Sequence, residues 1–312
     1  MTHAPALNVS SSRRAANRGH RLRVWLAADA SLILVTSLWV YGWDYYRLPI
    51  EQRPFSAKHE LLRPSGTIGL NLGILGTVLF VVIFLYALRK AIPWLGRLGT
   101  AKHWMDFHVV AGVTAPVVIA FHASFKFNNI AGVAFWVMLA VALSGIAGRY
   151  LYAQIPRSLG SAALTYNELH KLEREMAEAL AGQSVYSSGQ IEAILHMPTM
   201  DAVRGSPAAV VLAQMLVLDF ARSFRLAALR RQAVGWSATI WSIGGFLSTG
   251  NSEVEQIVAV IRRRASLSKR ILFLDRAQRL FHLWHVVHRP FSYAFVVLAV
   301  IHIVNAVRLG YF

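Results

Sequence analysis

The chain has 312 residues, no cysteine and a formal net charge of +17. Hydrophobic residues make up 55% and charged residues only 15%, against roughly a quarter charged in soluble domains. This excludes disorder for most of the chain. The absence of cysteine excludes disulfides, thiolate metal sites, iron–sulfur ligation by this chain and c-type haem attachment. A chain so apolar and yet so basic reads as a membrane protein with its positive charge gathered in loops, and it leaves twelve histidines as the candidates for metal chemistry.

The predicted elements follow from runs of about 20 apolar residues, the length that crosses a bilayer as a helix. A basic tail, 1–23, carries Arg13, Arg14, Arg18, Arg21 and Arg23. Four spans follow within 24–152, at about 24–43, 67–88, 104–124 and 130–152. The first is too long, and too poor in small residues at a cleavage position, for a removed signal peptide. Residues 153–278 read as a helical cytoplasmic segment, and 279–312 as a fifth span, about 280–307, with an outer C-terminus. The expected fold class is an all-α membrane bundle with a helical insertion between the fourth and fifth spans.

Several helix starts are legible in the insertion. Thr165 with Glu168 and Ser252 with Glu255 fit capping boxes. Ser206 followed by Pro207 fits an N-cap and a first-turn proline. The predicted helices are 166–180, 189–196, 207–232 and 253–267, with no convincing strand alternation. The apolar stretches 208–220 and 234–247 are too short to span comfortably and read as core or interfacial helices.

Orientation follows the excess of Lys and Arg in cytoplasmic loops. The tail, the second loop (Arg89, Lys90, Arg97, Lys102) and the run before the last span (Arg262, Arg263, Arg264, Lys269, Arg270, Arg276, Arg279) share one side if the N-terminus is cytoplasmic. The third loop has only Lys126, whereas Arg47, Arg53, Lys58 and Arg63 in the first outer loop run against the rule. The basic runs accord with topology and lipid headgroups. No nucleic-acid-binding motif accompanies them.

The histidines carry the chemistry. His108 and His122 lie 14 apart in the third span, and His288 and His302 lie 14 apart in the last. Fourteen helical residues rise about 21 Å and return to within about 40° of the same face. Each pair therefore forms a stripe with one imidazole near each membrane surface. Two such helices offer four imidazoles in two layers, and each layer can clamp one haem iron from both sides. Intramembrane ionisable groups are costly and usually functional. Proton relay, non-haem metal binding or a structural role are the competing readings. Small residues suit a flat cofactor or close helix packing: Gly112 and Ala115 in the third span, Gly66, Gly69, Gly73 and Gly76 in the second, Gly132, Gly145 and Gly148 in the fourth.

This paired H-x13-H arrangement on two helices separated by one span resembles the membrane di-haem b-type cytochromes. It is most similar to the transmembrane haem core of the ferric reductase and NADPH oxidase superfamily, and the spacing also resembles cytochrome b of quinol:cytochrome c reductases. The resemblance covers the spans, about 180 residues. It implies ligand places for His108 and His122 on one helix and for His288 and His302 on the other. It implies two bis-histidine haems b and transmembrane electron transfer within a multi-subunit redox complex. The 312 residues depart from these families: no flavin and nicotinamide domain is expected within them, and they hold no G-x-G-x-x-G loop after a strand and no quinol-oxidation Pro-Glu-Trp-Tyr sequence.

If the insertion never crosses, His108 pairs with His288 near the cytoplasm and His122 with His302 near the outside. His285 competes with His288 but lies about 100° off the stripe through His302. Haem propionates favour Arg near the surface. Arg149 and Arg289 are the inner candidates, with interfacial snorkelling as the alternative; Lys126 and Arg308 could serve the outer layer. His103 and His282 read as interfacial, and His3, His20, His59, His170 and His196 as solvent-exposed. Asp106 reads as a helix N-terminal charge, and Asp29 is the other acid in a span; either could serve protons or a quinone. The expected partners are a cytoplasmic flavin or iron–sulfur donor and a periplasmic cytochrome or other acceptor, in a bacterial inner membrane. The runner-up within redox chemistry is a quinol-oxidising or quinone-reducing cytochrome b. Outside it stands a transporter or scaffold using intramembrane histidines, against which no inverted repeats or broken helices are apparent.

Overall fold

The computed structural model describes residues 7–155, 170–171, 173–175, 178, 188–234, 239 and 242–310. These residues form helices and loops, with no strand among them. The helices are α1 (Leu7–Tyr46), α2 (His59–Leu62), α3 (Thr67–Ala91), α4 (Pro93–Arg97), α5 (Ala101–His122), α6 (Asn129–Gln154), α7 (Ser188–Leu195), α8 (Met200–Gly205), α9 (Ala208–Ala233) and α10 (Ser252–Arg308). Among the described residues, five helical stretches are long and apolar enough to cross a membrane: Gly19–Tyr46, His59–Arg89, Ala101–His122, Asn129–Gln154 and Ser252–Arg308. The chain divides into two compact units, one of Met1–Ala147 with Val286–Phe312 and one of Gly148–His285.

In the first unit, α3 packs along α5, and α1 closes against both. Leu38, Tyr45, Tyr46, Leu62, Leu72, Val118 and Phe121 form the core between them. A second cluster, Ala120, Phe135, Met138 and Phe295 with Phe80 and Phe127 against it, joins α3, α5, α6 and α10. Many apolar side chains on these helices face outward, including Ile33, Val40, Val81, Leu143 and Val297. Outward apolar faces on long helices suit a hydrocarbon surround.

The connection between α1 and α3, built of turns and short helices, is pinned by Arg53. This buried guanidinium donates to the carbonyls of Leu48, Tyr46 and Ser124. Ser124 in turn donates its hydroxyl to Leu62 O at 2.6 Å. Lys58 pairs with Asp44 at 2.7 Å and Arg63 with Glu60 at 2.7 Å. The charges that run against the orientation rule are thus engaged locally, three of the four of them in these contacts.

Four expectations need correction. The helix expected at 253–267 and the span expected at 280–307 are one helix, α10, because no Gly or Pro interrupts 252–289. Its N-terminus is capped by Asn251, whose Oδ1 accepts from the amides of Glu253 and Val254. Ser252 is already helical, and Glu255 instead pairs with Arg230 at 2.7 Å. Pro207 occupies the N-cap of α9, while Ser206 donates back to Ala202 O at 2.7 Å and closes α8. Finally, the basic tail is helical from Leu7, and His20 is buried rather than exposed. It stacks on His103 with ring centres 3.7 Å apart and lies 3.1 Å from Asp106. Thr165, Glu168, His3 and most of the helix expected at 166–180 lie outside the described residues, as do parts of 234–247.

Within the second unit, α7, α9 and α10 enclose Ile191, Ile194, Leu226, Leu229, Val254, Ile257, Val258 and Ile261. Val203, Val211, Met215, Phe273 and Ala277 form a neighbouring cluster. Buried Lys269 reaches Asp219 at 2.5 Å, and Tyr150 donates to the same carboxylate at 2.7 Å.

Candidate haem-ligand site

All four histidines of the paired spacing belong to the first unit. Helix α5 starts at Thr100, whose hydroxyl accepts from His103 N at 3.4 Å. It ends where Ser124 and Phe125 turn into positive φ, at 48° and 57°. Pro116 lies inside α5 and has no N–H to return to Gly112 O. Pro290 does the same to Val286 O in α10, two residues after His288. Each of these two helices therefore carries a proline between its two histidines.

Three of the four imidazoles are held through Nδ1. His122 Nδ1 lies 2.8 Å from Gly69 O, and His108 Nδ1 lies 3.1 Å from Ile83 O. A carbonyl can only accept, so Nδ1 carries the proton and the neutral ring presents its Nε2 lone pair. His288 Nδ1 lies 2.8 Å from Ser144 Oγ, and Ser144 donates its own hydroxyl to Val141 O at 2.8 Å. That hydroxyl is therefore an acceptor for His288, which fixes the same tautomer. An Nδ1–H bond to a carbonyl or similar acceptor is how metal-ligating histidines are usually oriented.

The two anchors on α3 have a register of their own. Gly69 and Ile83 are 14 residues apart, as are His122 and His108, and α3 runs antiparallel to α5. One helix thus supplies two carbonyls at the rise that separates two imidazoles on its neighbour, about 21 Å.

His122 and His302 are brought together edge-on, with ring centres 6.3 Å apart and planes inclined by 74°. A metal held from opposite sides by two imidazole nitrogens, at about 2.0–2.1 Å each, sets ring centres about 6.3 Å apart. The His122–His302 ring-centre separation matches that spacing. His108 and His288 are each anchored from a different helix, and Tyr86 lies 5.3 Å from the His108 ring. Among the described residues, no group of three or more His, Asp or Glu is arranged to hold a metal ion.

The glycines divide by what a side chain would meet. A Cβ on Gly73 would lie 2.8 Å from His122 Cε1 and 2.9 Å from its Nδ1, so this glycine makes room for the ring. A Cβ on Gly69 would strike Arg63 O in the turn before α3, and one on Gly76 would strike Ile119 of α5, which is helix packing. Gly145 stands 3.7 Å from His288 Cε1, in ordinary contact, and Gly112 has open space around it. Gly73 was legible only as one of several small residues in the second span, and Ser144 carried no sequence signal.

The remaining candidates are placed as follows. His285 packs edge-on against Phe281 and Trp284, at 4.9 Å from each. Arg149 is half-buried late in α6, and Arg289 is exposed beside His288. His282 and His196 are exposed, and His170 is exposed beside Glu173 at 3.3 Å. His59 is half-buried and lies 3.2 Å from Tyr45 Oη. Asp106 faces His20 rather than acting only as a helix N-terminal charge.

Comparison of the chain with protein-family models, curated proteins and solved structures yields no match.

Proposed function

We propose that this chain is a multi-pass membrane cytochrome b that moves electrons across the bilayer through two haems, as the membrane subunit of a redox complex. The observation that carries this reading is the His122–His302 separation of 6.3 Å, with His122 Nδ1 tied to Gly69 O. When bound, haem would supply reversible one-electron chemistry. The chain's own residues hold and orient it. His122 and His302 would take the outer iron, and His108 and His288 the inner one. Gly69, Ile83 and Ser144 would hold the Nδ1 side of three of the imidazoles, leaving Nε2 for the iron. Arg289, beside His288, is the cation proposed for the inner propionates. A cytoplasmic flavin or iron–sulfur protein would deliver electrons, and a periplasmic cytochrome or similar acceptor would remove them. The proposed location is a bacterial inner membrane with the N-terminus inside.

The test is a visible spectrum and haem extraction on the purified chain. The expected result is a b-type spectrum with about two non-covalent haems per chain, and loss of one in His302→Ala. A folded, haem-free protein after expression with ample haem would refute the proposal.

A further inference from the structure

Helix α9 buries Val211, Met215, Leu226 and Leu229 and yet keeps a second apolar face outward. Its inward stripe carries two arginines, Arg222 and Arg230, both buried. Arg230 forms a two-pronged pair with Glu255 at 2.9 and 2.7 Å, and Arg222 lies beside Asp219. Its outward stripe carries Val210, Ala213, Leu216, Val217, Phe220 and Phe224, all exposed. Phe220 is 69% exposed and Val217 64%. The charged residues between Ala208 and Phe224 are Asp219, half-buried, and Arg222, buried.

The following loop extends this surface. Arg230 donates to Gly245 O at 3.1 Å, and Arg231 donates to Gly244 O at 2.9 Å. Gly245 sits at φ +84°, where a Cβ would strike Ala227 O. Fastened in this way, the loop turns Ile243, Phe246 and Leu247 outward, with Ile243 66% exposed and held at φ 50°. The Phe246 ring meets Phe224 edge-on at 5.1 Å, and Phe224 meets Phe220 at 4.7 Å. The exposed apolar side chains are thus contiguous, and soluble monomers rarely carry patches beyond about 300–600 Å².

We infer that α9 and the 242–247 loop lie in the membrane interface, with this face in the acyl-chain boundary and Arg225 and Arg231 at the anionic headgroups. The inference rests on the multi-pass membrane reading. The chain enters this unit along α6 and leaves it along α10, and both include stretches apolar enough to span. The unit is therefore tethered to a bilayer at both ends. The apolar face is too short to cross, since Asp219 and Arg222 interrupt the helix. An apolar face rimmed by arginine is the composition of helices that lie in the interface plane.

The lack of cysteine makes the test direct, because each introduced cysteine takes one label. Val217→Cys, Phe220→Cys, Leu143→Cys and Gln232→Cys are spin-labelled in the full chain. The chain is reconstituted in nanodiscs of phosphatidylcholine and phosphatidylglycerol. Accessibility to oxygen and to a water-soluble nickel chelate is then read by power saturation. Leu143, an exposed residue of α6, reports the span; Gln232, an exposed residue of α9, reports water. Labels at 217 and 220 are expected to follow 143, with oxygen favoured over nickel. If they follow 232 while 143 stays oxygen-favoured, the inference fails and the span survives. Exclusion of both reagents at 217 and 220 would mean protein covers the face, and also overturns it. Nickel access at 143 would overturn the membrane reading itself.

Discussion

Gly73→Ala separates the support of an imidazole from the stability of a helix. The added methyl would sit 2.8 Å from His122 Cε1 and 2.9 Å from Nδ1. Carbon atoms pack at about 3.5–4.0 Å, so the ring must retreat by roughly 0.7 Å or more. The same ring makes the 2.8 Å bond to Gly69 O and meets His302 edge-on at 6.3 Å, so retreat disturbs both. Losing the orienting hydrogen bond of a metal ligand typically lowers metal affinity by about 10–100-fold. Alanine is meanwhile the better helix former by about 1 kcal/mol, so α3 itself gains. The expected result is a chain with unchanged helicity, one weakly held haem and one intact. The assay is haem stoichiometry by extraction together with ferric electron paramagnetic resonance. Planes 74° apart at the His122–His302 pair should give a highly anisotropic low-spin signal, and this is the signal that Gly73→Ala should lose. Retention of both haems, with that signal unchanged, would refute the claim that Gly73 makes room for a ligand.

Ser144→Ala removes the acceptor for His288 Nδ1 and should weaken the inner haem by about tenfold while leaving the outer signal unchanged. Ser144→Thr, which keeps the hydroxyl, should restore it, and haem retention on dilution reads both. Arg53→Lys replaces a planar fork by a point charge and leaves carbonyls of Leu48, Tyr46 or Ser124 unpaired; thermal unfolding in detergent should show a loss of about 2–4 kcal/mol. Asp219→Asn leaves buried Lys269 without its carboxylate and should cost about 3–5 kcal/mol, read as protease sensitivity within 148–285. A cysteine at Phe55, 89% exposed, should react with an impermeant maleimide from outside intact cells; reaction only after lysis would reverse the proposed orientation.

Much of the helical architecture is legible because apolar run length is a strong signal. All five runs read from the sequence correspond to helices long and apolar enough to span. What fails is local punctuation. Asn251 and Ser252 are both competent caps, and one residue of register decides between them. The charged stretch around Lys269–Arg279 looks like a loop, yet it contains no helix breaker, and the helix simply continues. His20 looks exposed because it sits in a basic tail. Its burial depends on His103 and Asp106 from a helix more than 80 residues away, a contact no local pattern encodes.

The candidate site shows the same division between side chain and backbone. Histidine is scarce, so a spacing of 14 repeated on two helices stands out. The groups that orient those histidines are two backbone carbonyls and one serine hydroxyl, and every residue has a carbonyl. The 14-residue interval between Gly69 and Ile83 emerges only once α3 is laid antiparallel to α5. The division also assigns work to the helices without ligands. α3 holds both histidines of α5, and α6 holds His288 of α10 through Ser144. A ring with a fixed Nδ1–H cannot turn that nitrogen to a metal, so these helices set which imidazole nitrogen is offered. Substitutions that shift α3 along α5 by one residue should therefore disturb both of the α5 histidines at once, because the two anchors are rigidly spaced on one helix.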